Sequence, residues 1–210
     1  MSRRDAVLAE MGLAPVWRLR SKGKNPRDLW IELKRAVPAC TACGLHKTRK
    51  QTVLGVGDEH ADWLLIGEAP GAEEDRLGEP FVGQAGRLLD NMLAAIGLKR
   101  GENVYIANVL KCRPPGNRNP QPEEVQKCAP HLMRQIELIE PKLIVAMGRV
   151  AAQALLNSDA SIASLRGRLH RYAGVPLIVT YHPAYLLRNL PDKAKAWADL
   201  VFARNTMAGL

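Results

Sequence analysis

Asp62-Trp63-Leu64-Leu65-Ile66, running into Gly67 to Gly86 with the sequence GEAPGAEEDRLGEPFVGQAG, is the stretch around which the chain is organised. The apolar run reads as a buried strand, the glycine-rich segment as a long loop, and Leu88, Leu89, Met92, Leu93 and Ile96 as the inward face of a helix. Ligands of open α/β sheets bind beyond the carboxyl ends of strands, so this loop is the first place to expect a site. It carries five carboxylates, Glu68, Glu73, Glu74, Asp75 and Glu79, which would repel a bound phosphate. Its glycines also miss the spacings of dinucleotide and nucleoside triphosphate cradles. A chemistry other than nucleotide binding is expected.

Outward from this stretch the pattern repeats. Val104-Tyr105-Ile106-Ala107-Asn108-Val109-Leu110, Leu143-Ile144-Val145-Ala146-Met147 and Leu177-Ile178-Val179-Thr180 are further apolar runs of buried-strand type. Between and after them lie helical patterns: one from Pro122 with Val125, Cys128, Leu132, Ile136 and Ile139 on one face, one over Val150 to Leu156, and a closing one marked by Ala194, Trp197, Ala198, Val201 and Phe202. Pro130 predicts a kink or restart in the first of these. Alternating strands and helices predict an α/β fold, a three-layer α/β/α sandwich with a central four-stranded parallel sheet. The four strand exits then present the Glu68 loop, Asn108, Gly148 and His182 along one edge.

Upstream, Asn25-Pro26-Arg27-Asp28 reads as a helix cap, a proline at the first helical position and a first-turn acid, opening a helix that ends near Pro38. Residues 1–27 hold seven basic side chains against two acidic ones, more than half of the net charge of +9. We read them as a basic extension, with a short helix and a mobile arm, ahead of a single domain over residues 28–210. An isoelectric point near 9.7 favours a polyanionic partner such as nucleic acid. No apolar stretch approaches the roughly 20 residues of a membrane span. Asp5 and Glu10 interrupt Met1 to Leu13 where a signal peptide would be apolar, so a cytoplasmic protein is expected.

The chain has four cysteines: Cys40 and Cys43 at C-x-x-C spacing, then Cys112 and Cys128. In a cytoplasmic protein this points to metal before disulfide. Spacing leaves tetrahedral zinc, an iron-sulfur cluster and buried free thiols open. His46, three residues after Cys43, is a further zinc-ligand candidate, or one member of the basic run with Lys47, Arg49 and Lys50.

Gly67-Glu68-Ala69-Pro70-Gly71, Glu79-Pro80-Phe81-Val82-Gly83, Asn108 ahead of Lys111-Cys112-Arg113-Pro114-Pro115, and His182-Pro183-Ala184-Tyr185-Leu186-Leu187-Arg188 together resemble the motifs of the family-4 uracil-DNA glycosylases, over roughly residues 37 to 205 in order. The resemblance implies a repair hydrolase that flips uracil out of DNA and cleaves its N-glycosidic bond, leaving an abasic site. It implies a [4Fe-4S] cluster on Cys40, Cys43, Cys112 and Cys128, and a monomeric, nucleoid-associated enzyme acting on single- or double-stranded uracil-containing DNA.

The residues can be weighed against that chemistry. Cleavage leaves negative charge on the base, largely at O2, and His182 can donate to it. Asn108 offers an acceptor and a donor that match uracil N3–H and O4 and mismatch cytosine. Phe81 is suited to stack on a flipped base. The resemblance adds Gly67, Glu68 and Ala69 to the base pocket, Glu74 beside C5, Leu186 as a wedge in the duplex and Arg188 as a phosphate contact. Lys47, Arg49, Lys50, Lys111, Arg113 and Arg118 are expected to track phosphates near the cluster. Where other uracil glycosylases carry a water-positioning Asp, this chain has Ala69, leaving Glu68, Glu74 or backbone carbonyls as orienters. Two other readings stay open: a related glycosylase with broader deaminated-base specificity, and a non-catalytic metal-containing DNA-binding module.

Overall fold

The computed structural model of the protein describes residues 25–210. Nearly all of the basic extension, residues 1–24, lies outside them. The expected helix start is present: the Arg27 N–H donates to Asn25 Oδ1 at 3.1 Å, and α1 (Pro26–Ala39) follows with its proline at the first position. Its face of Trp30, Leu33 and Val37 is buried, and the chain leaves it extended at Cys40.

A six-stranded sheet forms the middle layer. Its strands are β1 (Val56–Gly57), β2 (Trp63–Gly67), β3 (Val104–Asn108), β4 (Leu143–Met147), β5 (Leu169–Tyr172) and β6 (Val175–Thr180), in the order β1-β3-β2-β4-β6-β5. The four strands expected from sequence are the parallel centre, with Leu65 level with both Ile106 and Val145, and Val145 level with Ile178. The two antiparallel edges go beyond that expectation. β1 is only two residues long, too short to show a period. β5 is half exposed in alternation and reaches β6 through Ala173 and Gly174, both at positive φ. That is the geometry of a two-residue hairpin turn, without the Asn-Gly that would announce it.

Alternate residues of β2 separate the two covered faces. Leu64 and Ile66 pack with α1, with α4 (Pro122–Ile139) and with α5 (Arg149–Leu156) through Trp30, Leu33, Leu132, Ile136 and Leu155. Trp63 and Leu65 face α3 (Gln84–Ala95) and α8 (Lys193–Met207) through Leu89, Leu93, Leu200 and Ala203. Burying each such leucine contributes on the order of 1.5–3 kcal/mol, and covering both faces is what makes the strands read as unbroken apolar runs.

Three local expectations are corrected. The acidic loop after β2 holds a short helix, α2 (Ala72–Leu77), whose first turn takes Glu73, Glu74 and Asp75, where acids suit the helix dipole. α4 does not restart at Pro130 but is a single helix from Pro122 to Ile139 with the proline inside it, its buried face passing from Cys128 in the cysteine cluster to Leu132 and Ile136 in the main core. α8 turns Ala196, Asp199, Leu200 and Ala203 inward and leaves Trp197 exposed. Asp199 occupies the core side because Arg166 meets its two oxygens at 2.6 and 2.8 Å, and a buried charge is tolerated when paired. α6 (Ile162–Leu165) and α7 (Pro183–Leu186) complete the chain.

Candidate active site and cysteine cavity

The carboxyl ends of the four parallel strands open into one cleft of about 750 Å³, lined among others by Glu68, Ala69, Glu74, Phe81, Asn108, Gly148, Arg149, His182 and Arg188. The strand-exit expectation therefore holds for the Glu68 loop, Asn108, Gly148 and His182. Gly67 does not line this space. It stands behind it, where a Cβ would meet Asn108 Oδ1 at 2.4 Å and Phe81 Cζ at 2.7 Å, so its missing side chain lets the Asn108 amide and the Phe81 ring sit against the backbone.

Asn108 closes β3 and is 2% exposed. Its Oδ1 is buried with no hydrogen-bond partner among the described residues, an unusual and costly state for an amide. Its backbone carbonyl is held instead, accepting from Lys111 Nζ at 2.8 Å.

His182 follows β6 and caps α7, its Nδ1 accepting the Ala184 N–H at 3.1 Å. A neutral ring accepting at Nδ1 carries its proton on Nε2, the nitrogen left for a guest. Burial, and secondarily the charge of Arg188, lower its pKa to about 4, so the ring is neutral at pH 7. Phe81 stacks on it with ring centroids 5.4 Å apart and 27° between planes.

Phe81 has φ of 56°, uncommon for a bulky residue and associated with functional loops. Arg100 pins it, donating to Pro80 O at 3.0 Å and Phe81 O at 2.9 Å while its Nε meets Asp90 at 2.8 Å. Gly86 leaves room for the same carbonyl, since a Cβ there would stand 1.8 Å from Phe81 O. Arg100 lies outside every motif, and nothing in its sequence surroundings marks it.

The loop carboxylates divide by role. Glu74 takes the Gly71 N–H at 3.1 Å and the Val82 N–H at 3.2 Å, so both of its oxygens brace the loop. Asp75 is buried and accepts from Lys50 N at 2.9 Å, and Glu73 pairs with Arg76. Glu68 is left with no hydrogen bond to its carboxylate among the described residues. Burial raises its pKa against the opposing pull of Arg149.

Two DNA-facing expectations are also corrected. Leu186 is 1% exposed and packs with Tyr181 and Ala196, so it cannot enter a duplex without leaving the core. Its neighbour Leu187 is 38% exposed. Lys111 is 1% exposed and cannot track phosphates. Arg49 is engaged too, donating to Cys112 Sγ at 3.0 Å and Pro38 O at 2.6 Å, as is Arg118, which grips both oxygens of Glu124.

Cys40, Cys43, Cys112 and Cys128 line one small cavity together with Arg49, Lys111, Lys127 and His131. All four are free thiols, and among the described residues no three ligand-type side chains converge on a point at coordinating distance. Cys128 Sγ accepts the Lys111 N–H at 3.3 Å. Burial raises the pKa of Cys112 and lifts Cys128 to about 11, so neither is a thiolate without a cation to stabilise it. His46 turns its Nδ1 to Cys43 O at 2.6 Å.

The sequence is similar to those of known proteins of one superfamily. The family described as the uracil DNA glycosylase superfamily matches residues 54–201. A type-4 uracil-DNA glycosylase of Archaeoglobus fulgidus is 49% identical over 164 residues, covering 74% of this chain and 82% of that protein. One of Thermotoga maritima is 47% identical over 170 residues, covering 80% and 88%. A type-5 uracil-DNA glycosylase of Pyrobaculum aerophilum is 32% identical over 148 residues, covering 62% and 64%. With a pocket at the strand exits, a four-cysteine cavity beside it and identity of this extent, the chain belongs to the type-4 uracil-DNA glycosylases.

Proposed function

We propose that this protein excises uracil from DNA by hydrolysis of the N-glycosidic bond, as a base-excision repair glycosylase. The observation that carries it is Asn108: a buried amide whose Oδ1 has no partner among the described residues, in the same cleft as a neutral His182 with its proton on Nε2. An acceptor and a donor on one amide fit uracil N3–H and O4, while cytosine presents the opposite pattern at both positions. In this reading the base lies against Phe81 with its O2 toward His182, both residues lining the same cleft. As the C1′–N1 bond breaks, charge gathers on O2 and the Nε2–H hydrogen bond strengthens. A neutral donor at O2 binds the intact base weakly and the departing anion well.

Glu68 is the carboxylate left to orient the attacking water, since Glu74 is bound into the loop. Glu74 lines the cleft where a thymine methyl would need space. Leu187 takes the wedge role in place of the buried Leu186, and Arg188 at the cleft rim contacts a phosphate. No helix among the described residues is long and apolar enough to cross a membrane.

Cys40, Cys43, Cys112 and Cys128 fit a [4Fe-4S] cluster, because four thiolates are anionic and their cavity is walled by Arg49, Lys111 and Lys127. Such a cluster would supply a structural clamp between the end of α1, the segment after β3 and α4, with the Arg49 and Lys111 donors to sulfur as its outer hydrogen bonds. Incubation with a uracil-containing oligonucleotide, followed by alkaline cleavage of abasic sites, tests the function. Strand scission at the uracil is expected, and retention of intact uracil overturns the reading.

A further inference from the structure

We propose that Lys111 is a positioning residue that aims the base-reading amide of Asn108 and joins its placement to the cysteine cavity. The reading of the cleft as a uracil pocket underlies this. Lys111 is the one described residue hydrogen-bonded to both sites. Its Nζ turns back three residues to donate to the Asn108 carbonyl at 2.8 Å, and its N–H donates to Cys128 Sγ at 3.3 Å. Its own carbonyl accepts from Val53 N at 2.8 Å, which holds it in place.

The Asn108 amide needs such a support. Its Oδ1 has no partner among the described residues, so its direction comes from the backbone and from packing against Gly67 and Phe81. The peptide between Asn108 and Val109 sets that backbone. Its own N–H, that of Val109, donates to Gly67 O, and the following Leu110 N–H donates to Glu68 O, each at 3.0 Å. The Asn108 carbonyl is the remaining free end of this arrangement, and Lys111 Nζ closes it.

Charge points the same way. Lys111 makes no ion pair with a carboxylate among the described residues, though it is almost fully buried. A buried ammonium requires compensation, and the nearest source is the Cys128 side of the cysteine cavity, which Lys111 helps to line. A cluster held on these sulfurs would set an anionic group beside the ammonium. A lysine expected among the phosphate contacts thus becomes an internal strut between metal site and base reader.

The test is a double-mutant cycle with Lys111→Met, which keeps the aliphatic stem and removes the donor. Uracil excision in single turnovers should fall about tenfold or more, as expected for loss of a hydrogen bond from a charged group. Affinity for free uracil, measured by calorimetry, should fall by a similar factor, while visible absorbance of the cluster and affinity for undamaged DNA stay at parental levels. In the Asn108→Ala background the same change should have almost no further effect, because the amide it aims is gone. Equal losses in both backgrounds, or no loss in either, overturn the proposal. If Lys111→Met fails to fold, iron chelation of the parent and of Asn108→Ala decides: a loss of uracil affinity confined to the parent supports the strut, and unchanged affinity in the parent overturns it. A parental protein that leaves uracil in DNA would instead sink the underlying function, an outcome visible before any variant is made.

Discussion

The two cavities flanking the end of β3 are built on opposite principles. In the strand-exit cleft, polar groups face open space: among the described residues, Asn108 Oδ1 is buried and unpaired, and the Glu68 carboxylate accepts no hydrogen bond. In the cysteine cavity the space is only about 10 Å³, and two of the four sulfurs already accept hydrogen bonds, from Arg49 and from Lys111. An unsatisfied group raises the energy of the empty protein and is relieved by a guest that comes and goes. A small, hydrogen-bonded nest of sulfur suits an occupant that stays. Changes in the first should therefore cost rate with little loss of stability, and changes to the sulfurs of the second should cost stability first, with Lys111 as the link by which they reach the rate.

The largest expected break of this contrast is His182→Ala. Excision in single turnovers should fall roughly 10²- to 10³-fold, or about 2.7–4 kcal/mol of transition-state stabilisation, with the melting temperature and DNA affinity nearly unchanged. The same ring sets the pH dependence. Its pKa is lowered to about 4, and protonation would put a second N–H on Nδ1 against the Ala184 N–H that it now accepts, so the proposed His182 contribution should stay level from pH 8 down to about 5 and be lost as the ring is displaced with the pH falling through 4. A loss of rate centred near an ordinary imidazole pKa of about 6.5, absent in the His182 variant, would show that the ring is not held neutral.

Next in size is Cys112→Ser, which should give colourless protein lacking the broad absorbance near 400 nm expected of thiolate-bound iron. Its melting temperature should fall by roughly 5 °C or more, on the order of 2 kcal/mol for a domain of this size. A wild-type preparation that is colourless, fully active and holds stoichiometric zinc would replace iron with zinc in this cavity. Smallest is Arg188→Ala, which should weaken DNA binding and lower the salt slope by about 1. Its rate at saturating enzyme should remain close to the parent.

What the sequence revealed follows the same contrast. Strands covered on both faces must be apolar throughout, so Leu64 to Ile66 and Leu143 to Met147 could be read directly, and their exits located Asn108 and His182. Burial of single charged residues was not legible. Lys111 stands between Leu110 and Cys112 with Arg113 close by, and only the fold shows that it points inward. Leu186 and Leu187 are adjacent and chemically alike, and the seat of α7 on Tyr181 and Ala196 decides which of them faces outward. Arg100 acts on backbone carbonyls 19 and 20 residues away, a relation that leaves no local pattern.

The backbone of Phe81 bears on how the cleft discriminates. Its left-handed turn is clamped by Arg100 from one side and admitted by the bare Gly86 on the other, so the ring is set during folding and has little freedom afterwards. A base entering the cleft meets a finished mould rather than a closing hand. A wrong base would then be turned away by a wall already in place, as a gauge refuses a badly machined part, and Phe81 itself would need no adjustment.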